Sequence, residues 1–430
     1  MPDLSSRPSA AVDAARLEAM MTAVSAFGGG EGGAMTRLTL SAEDGQARDW
    51  LGAWFESNGF TQKVDAIGNQ FGFVGMGGPN APVVMVGSHI DSQPNGGRFD
   101  GALGVISACE AIRAVREALK ARGALSACEF AVVNWTNEEG ARFQPSLLGS
   151  SVFTGAADLS WALERRDGNG VSVGEALGAI GYEGSDKVAV PGAYVELHIE
   201  GGPFLEREST RFGIFTRFWG ATKYRLAFLG RQAHTGPTPM AERLDALLAG
   251  AHVVTGLKAL AGAYGLDLHT SVGRLEVFPN SPNTVPSEAV LFIELRSGSA
   301  AVLAEAEEKL TAMIEAAAVE AGVAFEVRSI DRRVAAPMDA GLIALAERAA
   351  SRQGVHARHL DTIGGHDAVS LAAVCPSIVL AVPSVGGVIH HPTELTRAED
   401  HAFGTQVLAD MLMALATEGL AALQPREEAA

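Results

Sequence analysis

Short apolar stretches in this chain end, one after another, in a histidine or an acid followed by a turn, and helical patterns separate them. "APVVMVGSHID", Ala81 to Asp91, delivers His89, "CEFAVVNWTNEEG" delivers Glu138 and Glu139, and "AYVELHIEGG" delivers His198. Between the first two lies "ALGVISACEAIRAVREAL", whose apolar residues recur with helical spacing. This alternation of strand and helix specifies an α/β fold, a sheet covered by helices. In an open α/β sheet the ligand crevice lies just beyond the carboxyl ends of the strands, where these histidines and acids fall.

Upstream, Ala11 to Phe27 and Ala42 to Asn58 read as helices. From about Gly213 to Ile330 the pattern becomes strand "KYRLAFLG", helix "AERLDALLAGAHVVTGLKALAG", strands "TSVGRLEVF" and "EAVLFIELRS", helix "AAVLAEAEEKLTAMIEAAAVEAG" and strand "VAFEVRSI". That βαββαβ order is the ferredoxin-like split unit, so a separately cored domain is expected to interrupt the first. The expected division is 1–212, 213–330 and 331–430, the last part resuming the larger domain through "GLIALAERAASRQG", "HDAVSLAAV" and "SIVLAVPS". The end, "QPREEAA", reads as a frayed tail.

A chain of 430 residues with 47% hydrophobic content can bury the cores that such a division needs. Its formal charge of −17 repels phosphate backbones and anionic lipid, so nucleic acid and membrane are not expected partners and a small molecule is. Cys109, Cys128 and Cys375 lie in mostly apolar surroundings without CxxC spacing, which suits a reducing compartment. The start, "MPDLSSRPSAAVDAARLEAM", lacks a basic segment followed by an apolar core, and no uninterrupted apolar run approaches a membrane span. A soluble, cytoplasmic protein is expected.

The residues at the strand ends carry chemistry. In "GSHIDSQPNGGRFDG", glycines surround Asp100 and permit a tight return beside His89, while Asp91 is placed to accept the other ring N–H of His89 and fix its tautomer. Adjacent residues of an extended segment point to opposite sides, so one of Glu138 and Glu139 can bind a metal while the other reaches a nearby water as general base. A third histidine, His390, stands in the glycine-rich turn "GGVIHHPTE". Together these form a mixed nitrogen and oxygen set suited to zinc, manganese, cobalt or nickel, with Asp100 as a plausible bridge between two ions.

The strings "GSHIDSQPNGGRFDGALGV", "NEEGARF", "ELHIEGGPFLE", "GRQAHTGPTPMAERLDAL", "PNSPNTVPSEAVLFIELRS", "GGHDAVSLA" and "VPSVGGVIHHPTE" occur in an order that resembles one family. It is that of the dinuclear metal amidohydrolases comprising N-carbamoyl-L-amino-acid hydrolase, allantoate amidohydrolase and β-ureidopropionase, related to aminoacylases and metal-dependent carboxypeptidases. The resemblance implies a metallopeptidase-like mixed sheet flanked by helices, with the inserted ferredoxin-like domain as lid and dimerisation module. It implies two divalent ions per subunit, one held by His89, Asp100 and His198, the other by Asp100, Glu139 and His390. His391 takes no ligand role on this assignment. Glu138 becomes the general base and later acid, and His234 an oxyanion stabiliser reaching the site of a partner chain in a homodimer. Asn283, Arg296 and Gly365 correspond to substrate-binding positions.

At Gly201 the chain departs from the relatives that cleave carbamoyl or ureido groups, which usually carry glutamine there. The loss of an amide is expected to leave a side-chain-sized space and to alter discrimination between substrates. The resemblance therefore implies an amidohydrolase cleaving a non-peptide C–N bond of an N-carbamoyl amino acid or ureido acid. The alternative is an N-acyl-amino-acid or amide hydrolase with an altered acyl pocket. A non-catalytic dimeric binding protein is the competing reading from another class.

Overall fold

The computed structural model describes residues 10–424, and the chain divides into two compact units. One contains the chain up to Thr216, Met338–Leu360 and the segment from Gly365 onward; the other contains Arg217–Pro337 and Asp361–Gly364. The expected change at 212/213 falls at the start of a strand that continues to Phe218, and the return near 330 falls inside a strand that runs to Arg333. Residues 425–430 of the expected frayed tail lie outside the described residues.

Along the chain, β1 (Thr61–Val64), β2 (Gln70–Phe73), β3 (Val83–His89), β4 (Glu129–Trp135), β5 (Ala193–Ile199) and β6 (Gly213–Phe218) come first. Next come β7 (Gly220–Leu229), β8 (Ala233–His234), β9 (His269–Phe278), β10 (Thr284–Val285), β11 (Glu288–Ser297), β12 (Ala324–Arg333) and β13 (Ala336–Pro337). Strands β14 (Arg358–Thr362) and β15 (Ser377–Val382) follow.

In the first unit the sheet runs β1-β2-β4-β3-β5-β15-β6. The central neighbours β4, β3, β5 and β15 are parallel, whereas β2 joins β4, and β6 joins β15, antiparallel. The sheet is therefore mixed, and its central strands are buried almost throughout, as expected of parallel strands covered on both faces. Helices Ala14–Ser25, Ala102–Ala121, Ala340–Arg352 and Ala398–Glu418 contribute Met21, Ile112, Leu345 and Leu412 to one core with Val84, Val86, Leu197 and Leu380 of the strands. Asp13, Asp339 and Ser41 cap helices by accepting backbone N–H groups, which fixes where those helices begin.

Strands β1, β2, β6 and β14 and the helix Ala398–Glu418 are additions to the pattern read from sequence. That helix, the longest of the first unit, buries Asp400, His401 and Asp410 among its apolar residues, so no clean polar face marks it. Among the described residues, two helices, Ala246–Tyr264 and Ala398–Leu423, are long and apolar enough by length and composition to cross a membrane, although neither is an uninterrupted apolar run. Each instead lays apolar side chains into the core of its own unit: Val253 and Leu257 in one case, Leu408 and Leu412 in the other.

The second unit runs strand, helix, strand, strand, helix, strand, with the sheet order β12-β7-β11-β9 and every pairing antiparallel. Helices Ala246–Tyr264 and Ala300–Ala321 cover the sheet through Leu257, Leu310 and Ile314, which meet Leu226, Phe228, Leu291 and Ile293. The strands β9 and β12 at the two edges are largely exposed and carry Leu275, Phe278, Phe325, Val327 and Ile330 at the surface.

Truncation of a fully buried leucine tests the role of the last helix. Leu412→Ala is expected to destabilise the protein by about 2–5 kcal/mol, read as a lower urea midpoint with an unchanged slope; an unaltered midpoint would show that the helix does not pack as described.

Candidate metal centre

Parallel pairing of β4, β3, β5 and β15 brings their carboxyl ends to one edge. His89 closes β3, His198 is the penultimate residue of β5, Glu138 and Glu139 follow β4, and His390 follows β15. Asp100 arrives from the loop after β3, at the start of the helix Ala102–Ala121.

Backbone carbonyls fix two of the histidines. His89 Nδ1 lies 2.9 Å from the Asp91 carbonyl oxygen, and His198 Nδ1 lies 2.8 Å from that of Ile199. Donation from Nδ1–H to a carbonyl leaves the Nε2 lone pair for a cation. His198 Nε2 is 3.0 Å from Asp100 Oδ1, and His390 Nε2 is 3.0 Å from Asp100 Oδ2, so the two oxygens of one carboxylate face two different imidazoles. His390 Nε2 is also 3.4 Å from Glu139 Oε2. Donor atoms therefore cluster as His89, Asp100 and His198, and as Asp100, Glu139 and His390, all within 4.8 Å of one another in each group.

Glu138 belongs to neither group. Its Oε2 is 3.4 Å from His89 Nε2, and a Cβ at Gly365 would lie 3.7 Å from its Oε1, so Gly365 backs directly onto it. His391 turns its Nδ1 to the Thr393 hydroxyl at 2.8 Å and is exposed, whereas His390 faces Asp100. The His390 backbone is left-handed, with φ +56°, a conformation costly for a residue with a side chain and sustained by the structure around it.

Gly101 is required beneath this arrangement. Its φ is +63°, and a Cβ there would fall 2.3 Å from His89 Cε1 and Nε2. Only a residue without a side chain lets the Asp100 loop pass under the imidazole.

The charges are tightly interdependent. Burial opposes ionisation of Asp100, but hydrogen bonds with His198 and His390 hold its carboxyl well below the usual range. Burial, with repulsion from Asp367, Glu139 and Asp100, pushes Glu138 well above it. Burial and Asp100 raise Glu139 to about 7, and the hydrogen bond with Asp100 raises His390 to about 9. The cluster thus retains protons where a divalent cation would supply positive charge, and metal uptake would displace them. Three imidazoles with alternating carboxylates fit a zinc, manganese, cobalt or nickel ion by donor type.

Two expectations need correction. The imidazole of His89 bonds to the Asp91 carbonyl, with the carboxylate Oδ1 farther away at 3.5 Å. The Asp91 carboxylate instead accepts the N–H groups of Glu138 and Glu139, each at 3.3 Å, so it sets the two glutamates in place. Gly201 leaves no open space at its Cβ position, because Ile389 Cδ1 would sit 3.1 Å away, and its φ of +64° disfavours any side chain. Arg296 pairs with Glu294 at 2.8 Å and donates to the Ile363 carbonyl. Residues two apart on a strand share a face, which puts Glu294 and Arg296 together.

In the second unit, β8 pairs with β10, and Thr235 N–H donates to the Asn283 carbonyl at 3.1 Å. His234, in this two-stranded ribbon, and Asn283, just before it, are thus neighbours and both exposed, with His234 Nδ1 accepting the Gly236 N–H at 3.0 Å.

Three residues at the metal centre escape the sequence reading. The ring of His366 meets that of His198 edge-on at 4.5 Å between centroids. Glu196 joins His198 and His366 in a third donor group, but its oxygens accept from Ser88, Tyr194 and the Ala368 N–H, which leaves it a poor ligand. Glu394 accepts the N–H groups of Phe99 and Asp100 at 2.8 and 3.1 Å. His366 lies in "GGHDA" and Glu394 in "HHPTE", strings whose signal was present but overshadowed by the glycine and histidines beside them.

Residues 85–414 match the peptidase family M20/M25/M40, and the chain belongs to that family. It is 35% identical over 404 residues to the N-carbamoyl-L-amino-acid amidohydrolase of Rhizobium meliloti, covering 92% of this chain and 95% of the relative. It is 32% identical to the allantoate amidohydrolase of Bacillus subtilis, covering 91% of this chain and 95% of that one. Among solved structures, an amidase of the hydantoinase/carbamoylase family from Burkholderia vietnamiensis superposes with a TM-score of 0.91 at 35% identity, covering 96% of this chain and 100% of the other.

Gly101→Ala is expected to sharply reduce zinc retained after dialysis, measured by elemental analysis of the folded protein. Wild-type zinc content in that variant would contradict the close passage of the loop beneath His89.

Proposed function

We propose that this protein is a metal-dependent amidohydrolase that cleaves a non-peptide C–N bond in an N-carbamoyl amino acid or a ureido acid. The observation that carries this reading is the shared Asp100 carboxylate, one oxygen toward His198 and the other toward His390, with Glu138 adjacent but outside both donor groups. The N-carbamoyl-L-amino-acid and allantoate amidohydrolase relatives support the substrate class.

Two divalent ions, zinc or else manganese, cobalt or nickel, would be held by His89, Asp100 and His198 and by Asp100, Glu139 and His390. Bound there, they would polarise the substrate carbonyl and ease ionisation of water. Glu138 takes the proton from the attacking water and returns it to the leaving nitrogen; its buried position and raised proton affinity suit both steps. Asp91 holds Glu138 and Glu139 through their backbone N–H groups. The Gly365 backbone, which lies against Glu138, contacts the substrate. Asn283 and Arg296 orient the substrate carboxylate, with Arg296 sharing its charge between substrate and Glu294, and His234 supports the oxyanion from a partner chain.

The protein acts as a homodimer joined through the second unit, a reading supported by the apolar side chains at the edges of its sheet. It works in the cytoplasm, consistent with the free thiols of Cys109, Cys128 and Cys375.

The apolar Ile389 side chain, which occupies the space a side chain at Gly201 would enter, favours a second reading, an N-acyl substrate whose apolar group meets Ile389 in place of an amide. Initial rates on matched N-carbamoyl, N-acetyl and N-aroyl amino acids separate the two: the leading reading expects the N-carbamoyl compound to have the highest kcat/KM, and preference for an acyl compound would replace it.

Glu138→Gln is expected to keep its metal but lose about 10²- to 10⁴-fold in kcat, measured on protein of verified metal content. Chelation should abolish wild-type turnover and zinc or manganese should restore it. Full activity in Glu138→Gln would end the assignment of the base, and a wild-type chain that never takes up stoichiometric metal would favour a non-catalytic binding protein.

A further inference from the structure

We propose that Glu394 is a positioning residue, a brace that locks the Asp100 loop to the His390 turn so that one carboxylate can serve both cation positions. The inference rests on the two-cation reading above and adds to it a residue that binds neither ion.

Glu394 belongs by its backbone to the turn that carries His390: its N–H donates to the His391 carbonyl at 2.9 Å. Its side chain belongs to the other loop. Oε1 accepts the N–H of Phe99 at 2.8 Å and that of Asp100 at 3.1 Å, although 294 positions separate Glu394 from Asp100 in sequence. Two segments distant in the chain are thus joined by one oxygen, and the residue it fastens is the one whose two carboxylate oxygens must face His198 and His390 together. With both hydrogen bonds drawn to the same atom, Oε1 orients the backbone of Asp100, while Oε2 is buried without a hydrogen-bond partner and stands outside both donor groups.

The loop is shaped to receive this side chain. A Cβ at Gly97 would lie 2.2 Å from Glu394 Cδ and 2.3 Å from its Cβ, so the missing side chain at position 97 is the cradle in which Glu394 sits. Glu394 itself is 6% exposed, which removes water as a competitor for the two N–H groups. This accounts for a glycine in "NGGRFDG" that neither the turn nor the His89 contact requires. Outer groups that orient metal ligands typically contribute a factor of about 10–100 in metal affinity, and Glu394 has the corresponding position.

The test is zinc titration by calorimetry on the full-length apo-protein, with stoichiometry checked by elemental analysis and folding by far-ultraviolet circular dichroism. Glu394→Ala and Glu394→Asp are both expected to weaken zinc binding about 10–100-fold, the aspartate because it keeps the charge but is one methylene too short to reach both N–H groups. Glu394→Gln, whose carbonyl oxygen can accept the same two bonds, is expected to stay within a few fold of wild type. Gly97→Ala, which displaces the carboxyl while leaving it in the chain, should resemble Glu394→Ala. Wild-type affinity and stoichiometry in Glu394→Asp would overturn the brace, as would a loss in Glu394→Gln equal to that in Glu394→Asp, which would point to charge or to direct ligation. If Glu394→Ala does not fold, the aspartate and glutamine variants decide alone. A wild-type protein that binds no zinc or manganese at all sinks the two-cation reading, whereas strong wild-type binding with unaffected variants sinks only the brace.

Discussion

A single carboxylate that faces two imidazoles sets the conditions for everything around it. Asp100 is buried, and burial of a charge is tolerated only where hydrogen bonds and opposite charge compensate. His198 and His390 provide that compensation, one at each oxygen. For both to reach it, two strands must end at the same edge, a loop must pass beneath His89 at a residue without a side chain, and a turn must hold His390 in a left-handed conformation. The parallel centre of the sheet meets the first condition, Gly101 the second, and the packing of the turn after β15 the third.

The same geometry separates the two glutamates. Their N–H groups share the Asp91 carboxylate, yet their side chains diverge: Glu139 toward His390 and Glu138 toward His89. Contrary to the expectation of an extended segment, the two lie in a bend beyond β4, after Asn137 with φ +58°, so the turn of the backbone and not strand alternation sets this divergence. The consequence is one acid within reach of a cation's ligand set and another beside it, both with raised proton affinity because burial and neighbouring carboxylates disfavour additional negative charge.

Much of this was legible before any coordinates. Apolar runs with a histidine or acid at the end are local signals, and His89, Glu138, Glu139 and His198 stand where those signals put them. Asp100 and His390 were legible from the glycines around them, which mark loops able to return tightly. The less accurate readings share a different character. The bond expected for the Asp91 carboxylate goes to its carbonyl, and the space expected at Gly201 is met by Ile389. In each case the competing partner is a neighbour whose nearness depends on how the backbone turns, and pattern alone does not report that. The helix Ala398–Glu418 is not legible in the pattern because its polar residues are buried among apolar ones, which erases the periodicity that announces a surface helix.

The sequence by itself determined the chemistry available, the imidazoles and carboxylates at strand ends, because residue type and strand periodicity are properties of short segments. Only the tertiary structure decided which oxygen faces which nitrogen, which glycine makes room for which ring, and that Glu394 meets Asp100. Those outcomes join segments up to 294 residues apart, and such contacts are set by packing and burial of the whole unit.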